Sequence, residues 1–161
     1  MIKIRLEKVW KSFGSQDVLR DCDLEVRSGE CLVIMGLSGS GKSVTLRLIL
    51  GLMPPDSGRV YVDGVDITAL SEREIGPIRT RMGMVFQNSA LFDSLSVWQN
   101  VIFALRQHAD MSEDELWRIA TEKLHSVELA GVEERMPAEL SGGMRKRVAI
   151  ARALAPDPDI M

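Results

Sequence analysis

The sequence predicts an α/β fold, with strands in the N-terminal part and helices in the C-terminal part. Two segments, 31–35 and 82–86, are continuously apolar, which is typical of strands covered on both faces of a parallel sheet. After them, apolar residues recur with the spacing of amphipathic helices. This order indicates a sheet into which a helical part is inserted.

The N-terminal strands are indicated by apolar residues that alternate with polar ones in segments 2–6 and 24–26. After residue 43 the pattern becomes helical, and Gly51 with the prolines after it ends the helix. The apolar residues of this helix predict burial on most sides; they are Val44, Leu46, Leu48, Ile49 and Leu52. Asp63-Gly64, between two short apolar segments, predicts a two-residue hairpin turn.

The C-terminal part contains two capping boxes, Ser96-x-x-Gln99 and Ser112-x-x-Glu115, each of which predicts a helix start. A final helix is predicted over 141–154, because a proline follows it. The helix after Ser112 has one apolar stripe, formed by Leu116, Ile119, Ala120, Leu124 and Val127.

Length and composition limit the class of protein. At 161 residues with 45% apolar residues, the chain has one domain's worth of core, and its net charge of −3 gives no indication of a nucleic-acid partner. Cys22 and Cys31 are interpreted as reduced, buried thiols rather than a disulfide framework. The chain shows no signal peptide and no apolar segment long enough to cross a bilayer, so we expect any membrane role to depend on a partner.

Residues 36–43 read Gly-Leu-Ser-Gly-Ser-Gly-Lys-Ser, which is a complete phosphate-binding loop between an apolar strand and a helix. Glycines let the backbone direct N–H groups at phosphate oxygens, and the helix adds the positive end of its dipole. Lys42 is expected to reach the β- and γ-phosphates of ATP, and the Ser43 hydroxyl to coordinate Mg²⁺. The predicted nucleotide-binding residues are Gly36, Ser38, Gly39, Ser40, Gly41, Lys42, Ser43 and Val44.

A second anion site is indicated at Leu140-Ser141-Gly142-Gly143, where an exposed serine and two glycines open a helix. The alternative is a plain helix N-cap, since serine is a preferred capping residue. Together with the phosphate loop, the pattern favours one nucleotide that is held from two sides.

These motifs resemble those of an ABC-type ATPase: the phosphate loop, Gln87 at a strand end, and the segment 140–154. The resemblance extends over essentially the whole chain in order and spacing. It implies a P-loop NTPase (RecA-like) core, with an N-terminal antiparallel β subdomain, an inserted α-helical subdomain, and a core that is incomplete at the C-terminus. It also implies a single partial domain over 1–161. Its expected parts are the β subdomain and phosphate-loop half, 1–86; the Gln87 loop and helical subdomain, 87–155; and the start of the next core strand, 156–161.

The same resemblance implies roles for individual residues. In such ATPases two subunits pair head to tail, so Ser141, Gly142 and Gly143 are expected to contact the γ-phosphate held by the partner's loop. Gln87 is expected to contact Mg²⁺ and the attacking water, acting in catalysis with Lys42. Phe13 matches an aromatic that stacks on adenine, although a core aromatic of the N-terminal strands is the alternative.

Details of the sequence resemble one branch of these ATPases. Met144 after the two glycines, and the stretch 87–101, are similar to ATPases of MCE-type lipid transporters of the bacterial envelope. This implies a membrane permease and an MCE-type periplasmic lipid-binding partner, and a peripheral location at the cytoplasmic face of the inner membrane. ATPases of betaine-type importers for small solutes share the loop and the methionine, and they stay an alternative.

The chain ends before the Asp-Glu pair that the resemblance requires for hydrolysis, and Asp157 and Asp159 precede its position. We therefore expect ATP hydrolysis from a longer, dimeric form, and we expect 161 residues alone to be poorly stable and nearly inactive. A truncated, non-hydrolytic nucleotide-binding module is the alternative. A simple P-loop kinase is rejected, because kinase chemistry does not call for the motif at 140–143.

Other polar residues receive plainer interpretations. Asp93 is expected in a turn, and His108 and His125 are expected on the surface. The basic triplet 145–147 is expected to be a solvated helix face rather than a phosphate site.

Overall fold

The computed structural model describes residues 1–108 and 110–161, and for His108 it describes the backbone only. It contains two compact units, Met1–Arg79 and Thr80–Met161, which are described separately below. No helix among the described residues is both long and apolar enough to cross a membrane.

The first unit is built on a four-stranded antiparallel sheet with the order β2-β1-β3-β4. Its strands are β1 (Ile2–Phe13), β2 (Gln16–Arg27), β3 (Ser57–Val62) and β4 (Val65–Asp66). Leu6 lies opposite Leu24 on one side and Val60 on the other. Because side chains alternate along a strand, one face of β1 and β3 is buried, and its residues are Ile4, Leu6, Val9, Val60 and Val62.

The predicted hairpin at Asp63-Gly64 is confirmed. Both residues have positive φ, 48° and 79°, and they join β3 to β4. Two consecutive positive φ values define the turn whose twist matches that of the flanking strands. Asp-Gly predicts this turn because Asp and Gly adopt the positive φ values that the turn requires.

Two helices complete the first unit, α1 (Lys42–Ile49) and α2 (Glu72–Arg79). Helix α1 buries Leu48 and Ile49, but Leu46 and Leu52 are about half exposed, at 48% and 54%. The prediction that this helix is buried on most sides is therefore wrong. It is amphipathic, because the sheet of this unit covers only one of its faces.

The two predicted strands at 31–35 and 82–86 are not formed. The first has no ladder and is exposed, with Val33 at 70% and Met35 at 87%. The second contributes only an isolated parallel bridge between Met82 and Ile160. A continuously apolar segment becomes a buried parallel strand only between neighbouring strands and beneath covering helices. Among the described residues these neighbours are absent, so neither segment forms a strand of a sheet.

The second unit is helical. Its helices are α3 (Val97–Val101), α4 (Phe103–His108), α5 (Glu113–Ser126) and α6 (Gly142–Leu154), and a short 3₁₀ helix spans Pro137–Glu139. Their buried residues form one apolar cluster, in which Val101, Leu124 and Val148 are fully buried. Most of the predicted stripe of α5 is confirmed: Leu116, Ala120 and Leu124 are buried in this core and Val127 packs against it, whereas Ile119 is only partly buried and lies outside it.

Capping explains where these helices begin. At α5 the box is complete: Ser112 Oγ accepts a hydrogen bond from the Glu115 N–H at 3.4 Å, and the Glu115 carboxylate accepts one from the Ser112 N–H at 2.9 Å. At α3, Gln99 Oε1 accepts from the Ser96 N–H at 3.0 Å. Both predicted helix starts are confirmed, but only the box at Ser112 is reciprocal, because Ser96 Oγ is buried without a hydrogen-bond partner among the described residues.

Candidate functional site: the phosphate loop and the loops of the helical unit

The phosphate loop folds around the ammonium group of Lys42. Lys42 Nζ donates hydrogen bonds to the carbonyl oxygens of Gly36 and Leu37, each at 2.8 Å, and lies 3.4 Å from Ser40 Oγ. A positive charge is thereby fixed at the centre of the loop. The oxygens of a phosphate group in the loop would therefore accept charge-assisted hydrogen bonds from this ammonium.

Two glycines of the loop lie where a side chain would be too close to neighbouring atoms. Gly41 has φ +92°, and a Cβ atom there would lie 2.8 Å from Leu19 Cδ2 and 3.2 Å from the Val18 carbonyl oxygen. A Cβ atom on Gly36 would lie 2.5 Å from Ser40 Oγ. A side chain at either position would clash with these neighbours unless the loop around Lys42 Nζ shifted. Glycine is therefore favoured at 41 by its positive φ and close neighbours, and at 36 by the nearby Ser40 side chain.

Helix α1 presents free backbone donors at the end of the loop. It begins at Lys42, and its first intrahelical bond runs from the Thr45 N–H to the Gly41 carbonyl oxygen at 2.8 Å. The N–H groups of Lys42, Ser43 and Val44 therefore have no partner inside the helix. The Ser43 side chain is exposed. Ammonium, amides and hydroxyl together, without a carboxylate in the loop, form a donor set that fits a phosphate with its magnesium ion.

Phe13 lies at the end of β1 with half of its surface exposed (50%). Its ring is approached by Lys11 Nζ, 5.8 Å from the ring centroid. The alternative of a core aromatic does not describe this position. The ring is accessible to a planar partner, and its stacking on adenine stays a prediction.

Asp56, which no sequence pattern indicated, fixes the end of β1 next to Phe13. Its carboxylate accepts hydrogen bonds from Lys11 Nζ at 2.7 Å, from the Ser12 N–H at 2.7 Å and from Ser12 Oγ at 2.8 Å. These bonds, with that from Lys11 the strongest, lower the pKa of Asp56 to about 2. The hydrogen bonds of Asp56 to Lys11 and Ser12 thus hold the backbone just before Phe13 in place.

Gln87 is exposed and lies in a turn, not at the end of a strand. The turn is closed by a hydrogen bond from the Ser89 N–H to the Phe86 carbonyl oxygen at 3.0 Å. Gln87 belongs to the second unit and the phosphate loop to the first. Its roles toward magnesium and water stay predictions.

Ser141 is the N-cap of α6, where its Oγ accepts a hydrogen bond from the Met144 N–H at 3.3 Å. The start of the predicted 141–154 helix is confirmed. Gly142 and Gly143 are exposed, and a Cβ atom on Gly143 would meet nothing within 4 Å. Local packing therefore does not require a glycine at 143. The absence of side chains leaves an open surface at the helix N-terminus, where backbone N–H groups favour an anion.

The basic triplet differs from its prediction. Lys146 is exposed, but Arg145 donates to the Leu140 carbonyl oxygen at 2.6 Å, and Arg147 donates to the Glu128 carbonyl oxygen at 3.1 Å. A solvated helix face is therefore wrong for the two arginines. They satisfy backbone carbonyls at the ends of neighbouring segments, where cationic donors are favourable.

Asp93 and His125 lie where the sequence predicted, in a turn and on the surface, whereas the side chain of His108 lies outside the described residues. Asp159 pairs with Arg81 at 2.6 Å, and Asp157 is almost fully exposed.

Two polar side chains that no sequence pattern indicated organise the loop after Gln87. Arg152 of α6 donates to the carbonyl oxygens of Ala90 at 2.6 Å and Ser89 at 2.7 Å. Burial lowers the pKa of this guanidinium from its usual value. Asn100, which is fully buried, binds the backbone of Phe92 and two further carbonyls. Periodicity marks neither, because each is one polar residue inside an apolar stretch.

The fold and these motifs are those of a nucleotide-binding cassette, and comparison with known proteins agrees. A family profile described as ABC transporter matches residues 19–161. The chain therefore belongs to the ABC transporter family.

Three relatives illustrate the range of the family. The chain is 44% identical over 160 residues to the probable ribonucleotide transport ATP-binding protein mkl of Mycobacterium leprae, covering 99% of this chain and 46% of that protein. It is 44% identical over 148 residues to the intermembrane phospholipid transport system ATP-binding protein MlaF of Haemophilus influenzae, covering 92% and 56%. It is 43% identical over 160 residues to the sulfate/thiosulfate import ATP-binding protein CysA of Synechococcus elongatus, covering 99% and 45%. The chain thus spans about half the length of these relatives.

A solved structure supports the fold class. The ATP-binding cassette MJ0796, in a dimeric post-hydrolysis state bound to ADP and Pi, superposes with a TM-score of 0.88 at 37% identity, over 96% of this chain and 70% of that one. The predicted class is confirmed: an ABC-type P-loop NTPase fold with an antiparallel N-terminal sheet and a helical part.

Proposed function

We propose that this chain is the nucleotide-binding part of an ABC transporter ATPase that powers phospholipid transport across the bacterial envelope. The observation that carries nucleotide binding is the phosphate loop, in which the Lys42 ammonium is held between the carbonyls of Gly36 and Leu37. Similarity to a phospholipid transport ATP-binding protein supports the choice of cargo.

In this proposal ATP is held by the loop 36–43 and Val44, with Phe13 stacked on adenine. Lys42 binds the β- and γ-phosphates, and the backbone N–H groups at the start of α1 bind their oxygens. The Ser43 hydroxyl and Gln87 are the residues that would hold magnesium, which when bound neutralises negative charge on the phosphates. Gln87 also orients the attacking water. The carboxylates that complete hydrolysis are assigned to a longer form of the protein, so residues 1–161 alone are expected to be nearly inactive.

The second half of each site is proposed to come from a partner subunit. Ser141, Gly142 and Gly143 are exposed at the N-terminus of α6, as a surface that contacts a γ-phosphate in trans must be. A related cassette is dimeric in a state bound to ADP and Pi, which supports a pair of subunits; its head-to-tail arrangement is part of the proposal. Within one partial domain, we assign 1–86 to the phosphate-loop half, 87–155 to the helical subdomain and 156–161 to the next core strand.

The proposed partners follow from the family. A membrane permease is expected to dock near Gln87 and the segment 88–110, with an MCE-type lipid-binding protein on the periplasmic side. The ATPase would then work as a peripheral protein at the cytoplasmic face of the inner membrane. A nucleic-acid partner is not proposed, in agreement with the net charge of −3.

The shared site can be tested by mixing two inactive variants of the full-length protein, Lys42→Ala and Ser141→Ala. In a head-to-tail heterodimer one site keeps both Lys42 and Ser141, and the other loses both. If the two sites act independently, an equimolar mixture should recover about a quarter of the wild-type ATPase rate, since half the dimers are mixed and half their sites are intact. No recovery, with both variants folded and exchanging subunits, would contradict a site built from two subunits.

The cargo is tested after purification of the full-length ATPase with its permease. In proteoliposomes, ATP-dependent transfer of a fluorescent phospholipid that is lost in Lys42→Ala would support lipid transport. A small-solute importer is the second candidate, because a sulfate/thiosulfate import protein is similarly related at 43% identity. ATP-dependent uptake of a small solute, without lipid transfer, would decide for that candidate.

A further inference from the structure

The backbone just after Gln87 adopts an unfavourable conformation. Ser89 and Ala90 have φ values of +63° and +46°, although neither is glycine. The Ala90 N–H donates to the Asn88 carbonyl oxygen at 2.7 Å, which makes Ser89 the centre of a tight three-residue turn. Such conformations persist only where surrounding contacts hold them in place.

Arg152 supplies those contacts. One guanidinium nitrogen donates to the Ala90 carbonyl oxygen at 2.6 Å, and the other donates to the Ser89 carbonyl oxygen at 2.7 Å. Ser89 is itself buried, at 6% exposure. The rigid fork of arginine fits two adjacent carbonyls at once, which a single ammonium cannot do. Within the described part of the chain, the guanidinium pairs with no carboxylate, so these carbonyls are its principal partners.

Arg152 lies on α6, the helix that Ser141 caps. We propose that Arg152 is a positioning residue that fastens the turn at 88–90 to α6, so that the loop of Gln87 and the surface of Ser141 move as one piece. This inference rests on the proposed function, in which Gln87 and Ser141 serve the two nucleotide sites of a dimer. Arg152 itself touches no nucleotide; it sets where Gln87 can point.

The chain offers a matched control. Arg147 lies on the same helix and also donates to backbone carbonyls, those of Glu128 and Val127, at 3.1 and 3.4 Å. These carbonyls lie at the end of α5, away from the loop of Gln87 in sequence. An arginine that is only structural should behave like Arg147.

The test is a pair of double-mutant cycles in the full-length ATPase. Gln87→Ala is combined with Arg152→Lys and, separately, with Arg147→Lys; kcat, KM for ATP and Tm are measured for each. We expect Arg152→Lys to lower kcat roughly tenfold or more with little change in KM, because misplacing a catalytic group acts on turnover. Added to Gln87→Ala it should lower kcat no further, whereas any effect of Arg147→Lys should multiply independently.

The outcomes separate the inference from the proposed function. If Gln87→Ala alone leaves kcat unchanged, the proposed role of Gln87 fails and the inference falls with it. If Gln87→Ala slows turnover but Arg152→Lys adds an independent factor, as Arg147→Lys does, the inference is overturned while the proposed function stands.

A measurement on the wild-type full-length protein covers the case in which Arg152→Lys does not fold. Amide hydrogen exchange is compared with and without a non-hydrolysable ATP analogue. The amides at 89–91 and those of the first turns of α6 should change protection together. A change confined to one of the two segments would overturn the proposal.

Discussion

Replacing Asn100 by alanine should destabilise the helical unit more than any single surface substitution in it. The Asn100 side chain is fully buried. The two hydrogens of its Nδ2 group are shared among the carbonyl oxygens of Phe92, Leu95 and Ser96, each 3.0 Å away, and its Oδ1 accepts from the Phe92 N–H at 2.8 Å. One side chain thus replaces the regular backbone pairing that the loop before α3 lacks.

The magnitude follows from the three hydrogen bonds that two N–H hydrogens and one acceptor oxygen make here. A hydrogen bond contributes about 0.5–1.5 kcal/mol net, and a buried backbone group left without a partner costs about 1–3 kcal/mol. Truncation to alanine removes the side-chain partner of the Phe92 N–H and of the carbonyl oxygens that Nδ2 contacts. These backbone groups are then solvated by water or left without a hydrogen bond. We therefore expect a loss of about 3–5 kcal/mol in the free energy of unfolding, which corresponds to a fall in Tm of about 8–15 °C.

The assay is urea unfolding of full-length Asn100→Ala and wild type, followed by circular dichroism, together with a thermal melt. Gln99→Ala is the control, since the neighbouring Gln99 makes one such bond, accepting from the Ser96 N–H at 3.0 Å. Its loss should be only about 0.5–1.5 kcal/mol. A third variant, Asn100→Asp, should be less stable at pH 7.5 than at pH 5, because an ionised carboxylate would face three carbonyl oxygens and protonation relieves that repulsion.

The reasoning is refuted if Asn100→Ala costs no more than Gln99→Ala. The loop at 92–96 would then be held by apolar packing alone, and the hydrogen bonds of Asn100 would be exchanged for water without loss.

Three further predictions concern the remaining fold. Gly41→Ala should abolish ATP binding, because its Cβ would lie 2.8 Å from Leu19 Cδ2 at φ +92°; equilibrium dialysis with labelled ATP checks this, and unchanged affinity would show that the loop can shift. Asp56→Asn should remove stability at neutral pH, and its difference from wild type should shrink as the pH falls from 4 towards 2, because the pKa of Asp56 is lowered to about 2; unfolding at several pH values measures it, and a constant difference would argue against the Lys11 contact. Leu124→Ala should cost about 2–5 kcal/mol in urea unfolding, since this side chain is completely buried, and a loss below that range would indicate that the core closes around it.

Local signals in the sequence predicted local structure well. The Asp63-Gly64 turn, the box at Ser112 and the cap at Ser141 are each determined by residues within a few positions of one another, and all three are observed. The glycines of the phosphate loop belong to the same class, because their backbone conformation is a property of the residue itself.

Features that depend on distant parts of the chain were not predictable in this way. The segment 31–35 has the composition of a buried strand, but composition does not provide the neighbouring strands that a ladder requires. Arg152 and Arg147 look alike in sequence, and only the fold shows that one holds the loop after Gln87 and the other the end of α5. The Lys11–Asp56 pair spans 45 positions and breaks no local pattern.

The uncovered segment at 31–37 also affects how this chain behaves in solution. Val33, Met35 and Leu37 are 70–87% exposed on backbone that has no strand beside it. Within this segment, residues 31–35 combine apolar side chains with backbone groups that have no hydrogen-bond partner among the described residues, and such a stretch recruits a second strand from another molecule. We therefore expect copies of this 161-residue chain to associate with one another as the protein concentration rises. Light scattering should rise with protein concentration, and charged substitutions at Val33 and Met35 should delay that rise without changing the sheet of the first unit.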